Sequence, residues 1–549
     1  MVSNQSSTSF AQGADNNDNK GKGLAFWLII LSLCMTLFLS ALEMTSVSNA
    51  LPTIIQDLHG VDYVWVGSAY VLASTSFLPA SGGFAEAFGR RITMLIAVGL
   101  FTLGSALCGA AQNMNMLIGG RAVQGMGGGG ILSITSIIVS DLVPLKERGL
   151  YNGLIGLTWG FATAIGPLVG GALAQNGHWR WLFYLNLPIC GVAAALVLAF
   201  LHLPTPAGTL HEKVLRIDWV GIALSTLSTV SCVIALTWAG IRYPWSSAKI
   251  LVPLILGLFG LAIFLLYEAT LARNPIVPPK LLANRTSLSG YLQTYLTPVV
   301  SLSALYYNAV YGQACKGYSP IHTAVVFLGV SIALGPATIF SGVSVGITKV
   351  YRPQLWIGWV ILAVAAGAMS TFDVDTSVAT IAGLPILLGI GLGILFSATY
   401  FPVLAPLPIS ENAHALAFFA FCRAFAGVWG ITISGTIMQN ELSRKLPADF
   451  LAQFPGGAEI AFSVIPTIKT LNEPLKRQVQ DTFAKGYQRT WYVMAGVSVA
   501  GFLVSLLMKG LPLGAPPAAK RLSSEVDMAT VDMAEQKHEE VPDVVEITA

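Results

Sequence analysis

Fourteen stretches of this chain are apolar over about 20 residues, the length a helix needs to cross the hydrocarbon of a bilayer. They cover 24–50, 64–85, 93–111, 115–140, 150–174, 181–202, 217–239, 249–268, 288–312, 321–347, 355–372, 379–401, 413–438 and 490–509. The eleventh is weakened by Asp373 and Asp375 at its end. The ninth is weakened by Pro298 and many hydroxyls, so twelve or thirteen spans stand as alternatives. Hydrocarbon offers no hydrogen-bond partner to a backbone, so runs of this kind fold as helices. The expected fold class is an all-α polytopic membrane protein. Composition closes other routes: only 10% of residues are charged, against about 25% in soluble domains. Soluble enzyme, nucleic-acid binder and disordered scaffold are demoted together, and a net charge of +3 calls for no polyanionic partner.

Residues 1–22 are polar and carry no small-residue cleavage pattern, so the first run reads as a retained helix preceded by a disordered tail. Lys and Arg in short loops set the orientation. With the N-terminus in the cytosol, inward loops hold Arg90, Arg91, Lys146, Arg148, Lys213, Arg216, Arg273, Lys280, Arg285, Lys349 and Arg352. Outward loops hold only Arg180, Arg242, Lys249 and Lys316. Both termini are then cytosolic, and 511–549 reads as a disordered tail whose last part is acidic. The segment 440–489, punctuated by Pro447, Pro455, Pro466 and Pro474, reads as an outward cap with short helical pieces near 472–484.

Charges inside spans are costly and point to function. Three stand out: Glu43, Arg121 and Arg423. Glu86, Asp141 and Glu268 fall at span ends, where water is expected to reach them. Around Glu43 stand Thr45, Ser46, Ser48 and Asn49, a polar half-helix suited to a cavity. Such a carboxyl can carry a proton through a conformational cycle; the competing reading is a permanently neutral, hydrogen-bonded acid. Arg121 keeps its charge and needs an acid or carbonyl partner. After it come Gln124 and the run Gly127–Gly130, which lets helices approach closely. Gly125, Gly127 and Gly130 also fit a dinucleotide fingerprint, which the missing strand rules out. The six cysteines show no metal-ligand spacing and the seven histidines are dispersed, so no metal, cofactor or catalytic cluster is expected.

Four motifs make the chain resemble the major facilitator superfamily, in its fungal fourteen-span drug:proton antiporter branch. Ala41-Leu-Glu43-Met-Thr45 through Ala50-Leu-Pro52 resembles the branch's first-span motif, with Glu for Asp. Gly82-Gly-Phe-Ala-Glu86-Ala87-Phe-Gly89-Arg90-Arg91 resembles the loop motif, with Glu86 for Asp and Ala87 for Arg. Arg121 through Gly129 matches the fourth-span motif, and Gly166-Pro167-Leu-Val-Gly170-Gly171 the fifth-span motif typical of exporters. The segment from Trp179 to Pro188 and the span around Arg423 also look like this branch.

The resemblance implies two six-helix bundles, 23–202 and 285–510, the second including the 440–489 loop, joined by a linker over 203–284 with two extra spans. It implies proton-coupled efflux of amphiphilic small organic molecules such as drugs or fungal secondary metabolites. The protein would act as a monomer with small molecules, protons and the bilayer as partners, and no nucleic acid, most naturally in the plasma membrane. A vacuolar or siderophore-type porter is the alternative; a non-transporting receptor or an enzyme fits less well. Glu43 and Arg121 would couple protons. Gly82, Glu86, Gly89, Arg90, Arg91 and Asp141 would latch the cytosolic side, with Arg90 and Arg91 pairing with Glu86 or Asp141. Gly166, Pro167, Gly170 and Gly171 would shape the rocking helix. Candidate cavity residues are Asn49, Tyr70, Gln124, Trp159, Tyr307, Asn308, Tyr311 and Arg423, although aromatics at helical spacing more often pack, and Arg423 fits an anionic group or a structural carbonyl equally.

Overall fold

The computed structural model describes residues 23–59, 63–143, 148–203, 218–239, 243–272, 279–407, 412–454, 461–462 and 464–511. Expectations for the tails 1–22 and 512–549, and for the side chains of Gly82 and Glu86, lie outside what is described.

The first run of helices comprises α1 (Leu24–Asp57), α2 (Tyr63–Phe88), α3 (Arg90–Gly109), α4 (Met114–Leu142), α5 (Arg148–Gln175), α6 (Trp181–Tyr184) and α7 (Asn186–Phe200). Then follow α8 (Trp219–Trp238), α9 (Ala248–Thr270) and the short α10 (Pro279–Leu282). The last run comprises α11 (Arg285–Ala314), α12 (Pro320–Phe327), α13 (Gly329–Thr348), α14 (Arg352–Met369), α15 (Val378–Ala398), α16 (Tyr400–Leu404), α17 (Asn412–Lys445), α18 (Ala448–Gln453) and α19 (Leu475–Leu506).

Among the described residues, twelve helical segments are long and apolar enough to cross a membrane. Two predicted spans fall outside that set although both are helical. In α2 the apolar stretch described is Tyr63–Leu78, and several side chains beyond it lie outside the described ones. α11 is thirty residues long, but Gln293, Thr294, Ser303, Asn308 and Gln313 lower its hydropathy. Those side chains are buried against neighbouring helices. A helix enclosed by protein does not need a lipid-facing surface, so hydropathy understates it.

α17 and α19 also run past their apolar stretches, well into the segment read as an outward cap. Ion pairs hold these polar extensions. Glu441 meets Lys445 at 2.6 Å and Arg489 at 2.8 Å, and the Thr482 hydroxyl donates to the Lys445 carbonyl at 3.3 Å.

α1 through α7 pack chiefly on one another, as do α11 through α19. The two sets meet near the Asp57 end of α1. There Gln313 donates to the Asn49 carbonyl at 3.0 Å, Tyr63 stacks on Phe462 at 3.7 Å, and Gly171 faces the Pro320–Ile321 backbone. At the opposite end of α5, Gly156 and Gly160 face open space, and Leu157 and Phe161 are exposed. α8 and α9 form a side pair: Ser231 donates to the Pro253 carbonyl at 2.9 Å, and Gly257 presses on Cys232. α8 is tied to α17 by Thr436 and Asn440, while most of α9 faces outward. Glu268, expected to be reached by water, is buried on α9 beside Gly221 of α8.

Candidate functional site

The glycine run of α4 explains how an arginine comes to lie in the interior. A side chain on Gly125 or Gly129 would strike the Tyr70 or Ser74 carbonyl of α2 at 2.2 Å; one on Gly127 would strike the Phe101 nitrogen of α3 at 2.3 Å. Alternate glycines thus let α4 sink between two backbones. Arg121, one turn before this run, is carried into the core with no solvent exposure, as is Glu43 on α1.

Arg121 Nη1 donates to Glu43 Oε1 at 2.8 Å and to Gln124 Oε1 at 2.7 Å, and its Nε donates to the Val66 carbonyl at 3.0 Å. The Tyr70 ring lies 4.4 Å from the guanidinium carbon, and the Tyr70 hydroxyl bonds Ser40 at 3.0 Å. The second carboxylate oxygen of Glu43 accepts from Asn186 Nδ2 at 2.9 Å. Ser105 Oγ accepts from both Gln124 and Asn186, closing a ring of side chains from α1, α3, α4 and the start of α7. Desolvating each ion costs several kcal/mol, and mutual attraction offsets this only where the hydrogen bonds are complete. Arg121 Nη2 and Asn186 Oδ1 have no hydrogen-bond partner among the described residues, so the network is not complete. Adding a proton to Glu43 would remove the attraction that holds it.

The expected pair of residues 43 and 121 is therefore in direct contact, with Tyr70 and Gln124 in the same network. Asn186 and Ser105 were not singled out from sequence. Asn186 lies within the Trp179–Pro188 segment, and an amide in a span was the available signal.

The fifth-span motif joins three helices. A Cβ on Gly166 would meet Thr45 Oγ1 at 2.0 Å, and one on Gly170 the Ser46 carbonyl at 2.0 Å, so both fix α5 on α1. Gly171 faces Ile321 of α12 instead. Pro167 lacks an N–H and frees the Thr163 carbonyl, which accepts from Ser331 Oγ of α13 at 3.4 Å. Asn49 Nδ2 donates to the Pro167 carbonyl at 3.2 Å. Asn49 thus braces this junction. Trp159 packs with Ala41, Leu42 and Ala162.

In the loop between α2 and α3, Gly89 has φ +89°, which L side chains rarely adopt. The next residue, Arg90, bonds Asp141 at 2.7 Å, one of the two partners expected for it. Arg91 donates instead to the Leu198 carbonyl. At the other end of this set, Asp57 accepts from Arg180 at 2.8 Å and from Trp179 at 3.0 Å.

The remaining cavity candidates do not join the Glu43 network. Tyr307 donates to the Ile431 carbonyl at 3.4 Å and borders a void of 10 Å³, too small for a substrate. Asn308 accepts from Tyr487 at 2.8 Å, and Tyr311 donates to the Asp373 carbonyl at 2.6 Å while stacking on Tyr487. Asn308 and Tyr311 are packed among their own helices, as aromatics and their partners on an enclosed helix tend to be, whereas Tyr307 faces Leu51, Tyr63 and Val64 of the first set across that void. Arg423 of α17 donates to the Phe396 carbonyl at 2.8 Å, with its guanidinium 4.7 Å from the Phe396 and Phe419 rings. Its Nε has no partner among the described residues.

Residues 33–431 match the Major Facilitator Superfamily. The chain is 39% identical over 501 residues to the efflux pump FUS6 of Gibberella fujikuroi, covering 90% of each chain. It is 35% identical over 502 residues, again 90% of each, to the acurin A biosynthesis cluster MFS-type transporter of Aspergillus aculeatus. Its fold resembles that of a bacterial homologue of the human lysosomal transporter Spinster, with a TM-score of 0.60 at 15% identity, covering 89% of this chain and 98% of the other. Buried ion pair, glycine-packed helices and these likenesses agree, and the chain belongs to the major facilitator superfamily.

Proposed function

We propose that this transporter exports amphiphilic small organic molecules, secondary metabolites among them, in exchange for protons. The observation that carries the reading is the fully buried Glu43–Arg121 pair, linked to Gln124 and Asn186. Its relatives named as an efflux pump and as a biosynthesis-cluster transporter support the direction and the substrate class.

In this reading the helices form fourteen spans, with α2 and α11 added to the twelve apolar ones. α1–α7 and α11–α19 act as two six-span bundles, and α8–α9 is the inserted pair. Both termini are cytosolic, so the Asp57 end faces outward in the plasma membrane, and the protein works as a monomer. Glu43 takes a proton when the outward path is open. Its grip on Arg121 weakens, and the protonated site passes to the inward-facing arrangement. There the proton leaves and substrate binds from the cytosol, before the bundles rock about α5 to release it outside. Each net charge moved inward gains about 2.3 kcal/mol per 100 mV of potential.

Purified protein in liposomes, with an imposed pH gradient and a fluorescent amphiphile, tests this directly. Uphill movement of the dye is expected only while the gradient stands. Uphill movement that survives a protonophore would refute proton coupling, and the absence of dye movement in either direction would refute carriage of such compounds.

A further inference from the structure

A cavity lies away from the Glu43 pair, at the end of the protein where α11 and α14 begin and α19 finishes. It encloses 630 Å³ and is lined by Arg285, Arg352 and Lys509 together with Leu288, Leu506 and Leu507. Among the described residues the lining carries no Asp or Glu. Arg352 Nε is buried there with no hydrogen-bond partner among the described residues. We infer that this cavity binds the phosphate headgroup of an anionic phospholipid of the cytosolic leaflet.

Four observations lead there. First, three cations converge with no counter-charge in the lining, and two of them open helices, Arg285 on α11 and Arg352 on α14. A helix start adds unsatisfied N–H groups and a positive dipole end to the cationic side chains. Second, the floor is built rather than loose. The Tyr351 hydroxyl donates to the Lys509 carbonyl at 2.8 Å and accepts from the Leu511 N–H at 3.2 Å, and the Lys509 N–H donates to Thr286 Oγ1 at 3.1 Å. Third, Leu288, Leu506 and Leu507 are 39%, 48% and 59% exposed beside the charges. An apolar rim next to a cationic pocket matches an amphiphile with acyl chains, and not a water-soluble anion. Fourth, under the orientation proposed above, this end lies at the cytosolic interface, where anionic lipids concentrate and basic pockets between helices take their headgroups. The inference rests on that orientation and not on proton coupling or substrate.

The test is native mass spectrometry of the full-length protein in detergent with an equimolar mixture of phosphatidylserine and phosphatidylcholine. Because it reads lipid retention and not transport, its failure is distinct from failure of the efflux reading. The wild-type protein is expected to retain phosphatidylserine over phosphatidylcholine by about tenfold or more. The Arg285→Gln, Arg352→Gln, Lys509→Gln triple variant should bring that ratio close to one. The exposed single change Lys509→Gln should lower it about threefold, which keeps the test open if the triple variant does not fold. An unchanged ratio in these variants overturns the proposal. So does complete displacement of phosphatidylserine by millimolar inorganic phosphate, which would mean a soluble-anion site. A third outcome also overturns it: a preference seen only after Glu539→Gln, Glu540→Gln and Asp543→Asn, meaning that the chain's own acidic tail fills the cavity.

Discussion

Arg121 and Arg423 both lie partway along a spanning helix, and the protein treats them in opposite ways. Arg121 meets a carboxylate, an amide and a carbonyl, with a tyrosine ring against its face. Arg423 meets one carbonyl and two phenyl rings, and among the described residues no acid pairs with it. The difference is one of titratability. A guanidinium keeps its proton in practice, so a site made of Arg423, a carbonyl and phenyl rings presents the same charge throughout any cycle. A site that includes Glu43 has two charge states. In the proposed cycle the first helix set senses protons, and the second offers a constant cation flanked by aromatic surface.

The largest effect should come from breaking the titratable pair. Glu43→Gln and Arg121→Ala each leave a partner buried without its counter-charge, a defect worth about 3–5 kcal/mol. Gradient-driven export is expected to fall by about a hundredfold or more in either variant, measured in liposomes beside the amount of folded protein. Substrate exchange without a gradient should persist in Glu43→Gln, which resembles the protonated state. Export at the wild-type rate in both variants would remove Glu43 from coupling.

A smaller effect is expected at the junction of the two sets. A Cβ on Gly171 would lie 2.7 Å from the Pro320 carbonyl and the Ile321 Cα, whereas Gly160 on the same helix faces open space. Overpacking of this kind costs about 1–3 kcal/mol. Gly171→Val should therefore favour separation at the Asp57 end by about fivefold or more, and Gly160→Val should not. The readout is the labelling rate of a cysteine placed at Gln313 with an impermeant reagent. Equal labelling in the two variants would mean that the α5–α12 contact does not close that end.

Arg423 should yield a third, still smaller effect, and one of a different kind. Replacing it by Met removes a charged hydrogen bond and two cation–π contacts, the latter worth about 0.5–2 kcal/mol together or singly. Apparent affinity for anionic aromatic substrates should drop about threefold while dependence on the pH gradient stays as it was. Arg423→Lys, which keeps charge but not the planar fork, should fall between. A change in gradient dependence would erase the contrast drawn between the two arginines.

Much of this contrast was legible in the chain itself. Charges in apolar runs are rare enough that Glu43, Arg121 and Arg423 identify themselves, and the glycine run after Arg121 announces close packing. What pairs with each is a matter of tertiary geometry. Asn186 follows Glu43 by more than a hundred positions, and no local pattern connects it to Ser105. Tyr311 and Asn308 looked like cavity residues because a span with many polar groups reads as facing water; in the structure those groups satisfy one another across α11, α19 and the Asp373 turn. Hydropathy is low along α11 for the same reason. It reports fitness for lipid, and an enclosed helix is under no such demand. It also missed the lengths of α17 and α19, whose polar ends are held by ion pairs.

The smallest effect is expected at the surface, where the second set has an ion pair exposed to water. Arg477 donates to both carboxylate oxygens of Asp375, and these bonds hold the Asp375 carboxyl below the ordinary carboxylate range. A depressed folded-state value has one sign of consequence: the pair's contribution is complete above the unfolded carboxylate value, about pH 4, and is lost as pH falls through the folded one. Hydrogen exchange in residues 373–377 should therefore quicken as pH is lowered below about 4, after correction for the intrinsic rate. Asp375→Asn should show at neutral pH the exchange that the wild type reaches only in acid, with no further response to pH. Because solvent screens this pair, gradient-driven export near neutral pH should not change in that variant. Were Asp375→Asn to alter coupling as Glu43→Gln does, burial would not be what separates a proton-sensing carboxylate from a structural one, and the division of labour between the two helix sets would fail.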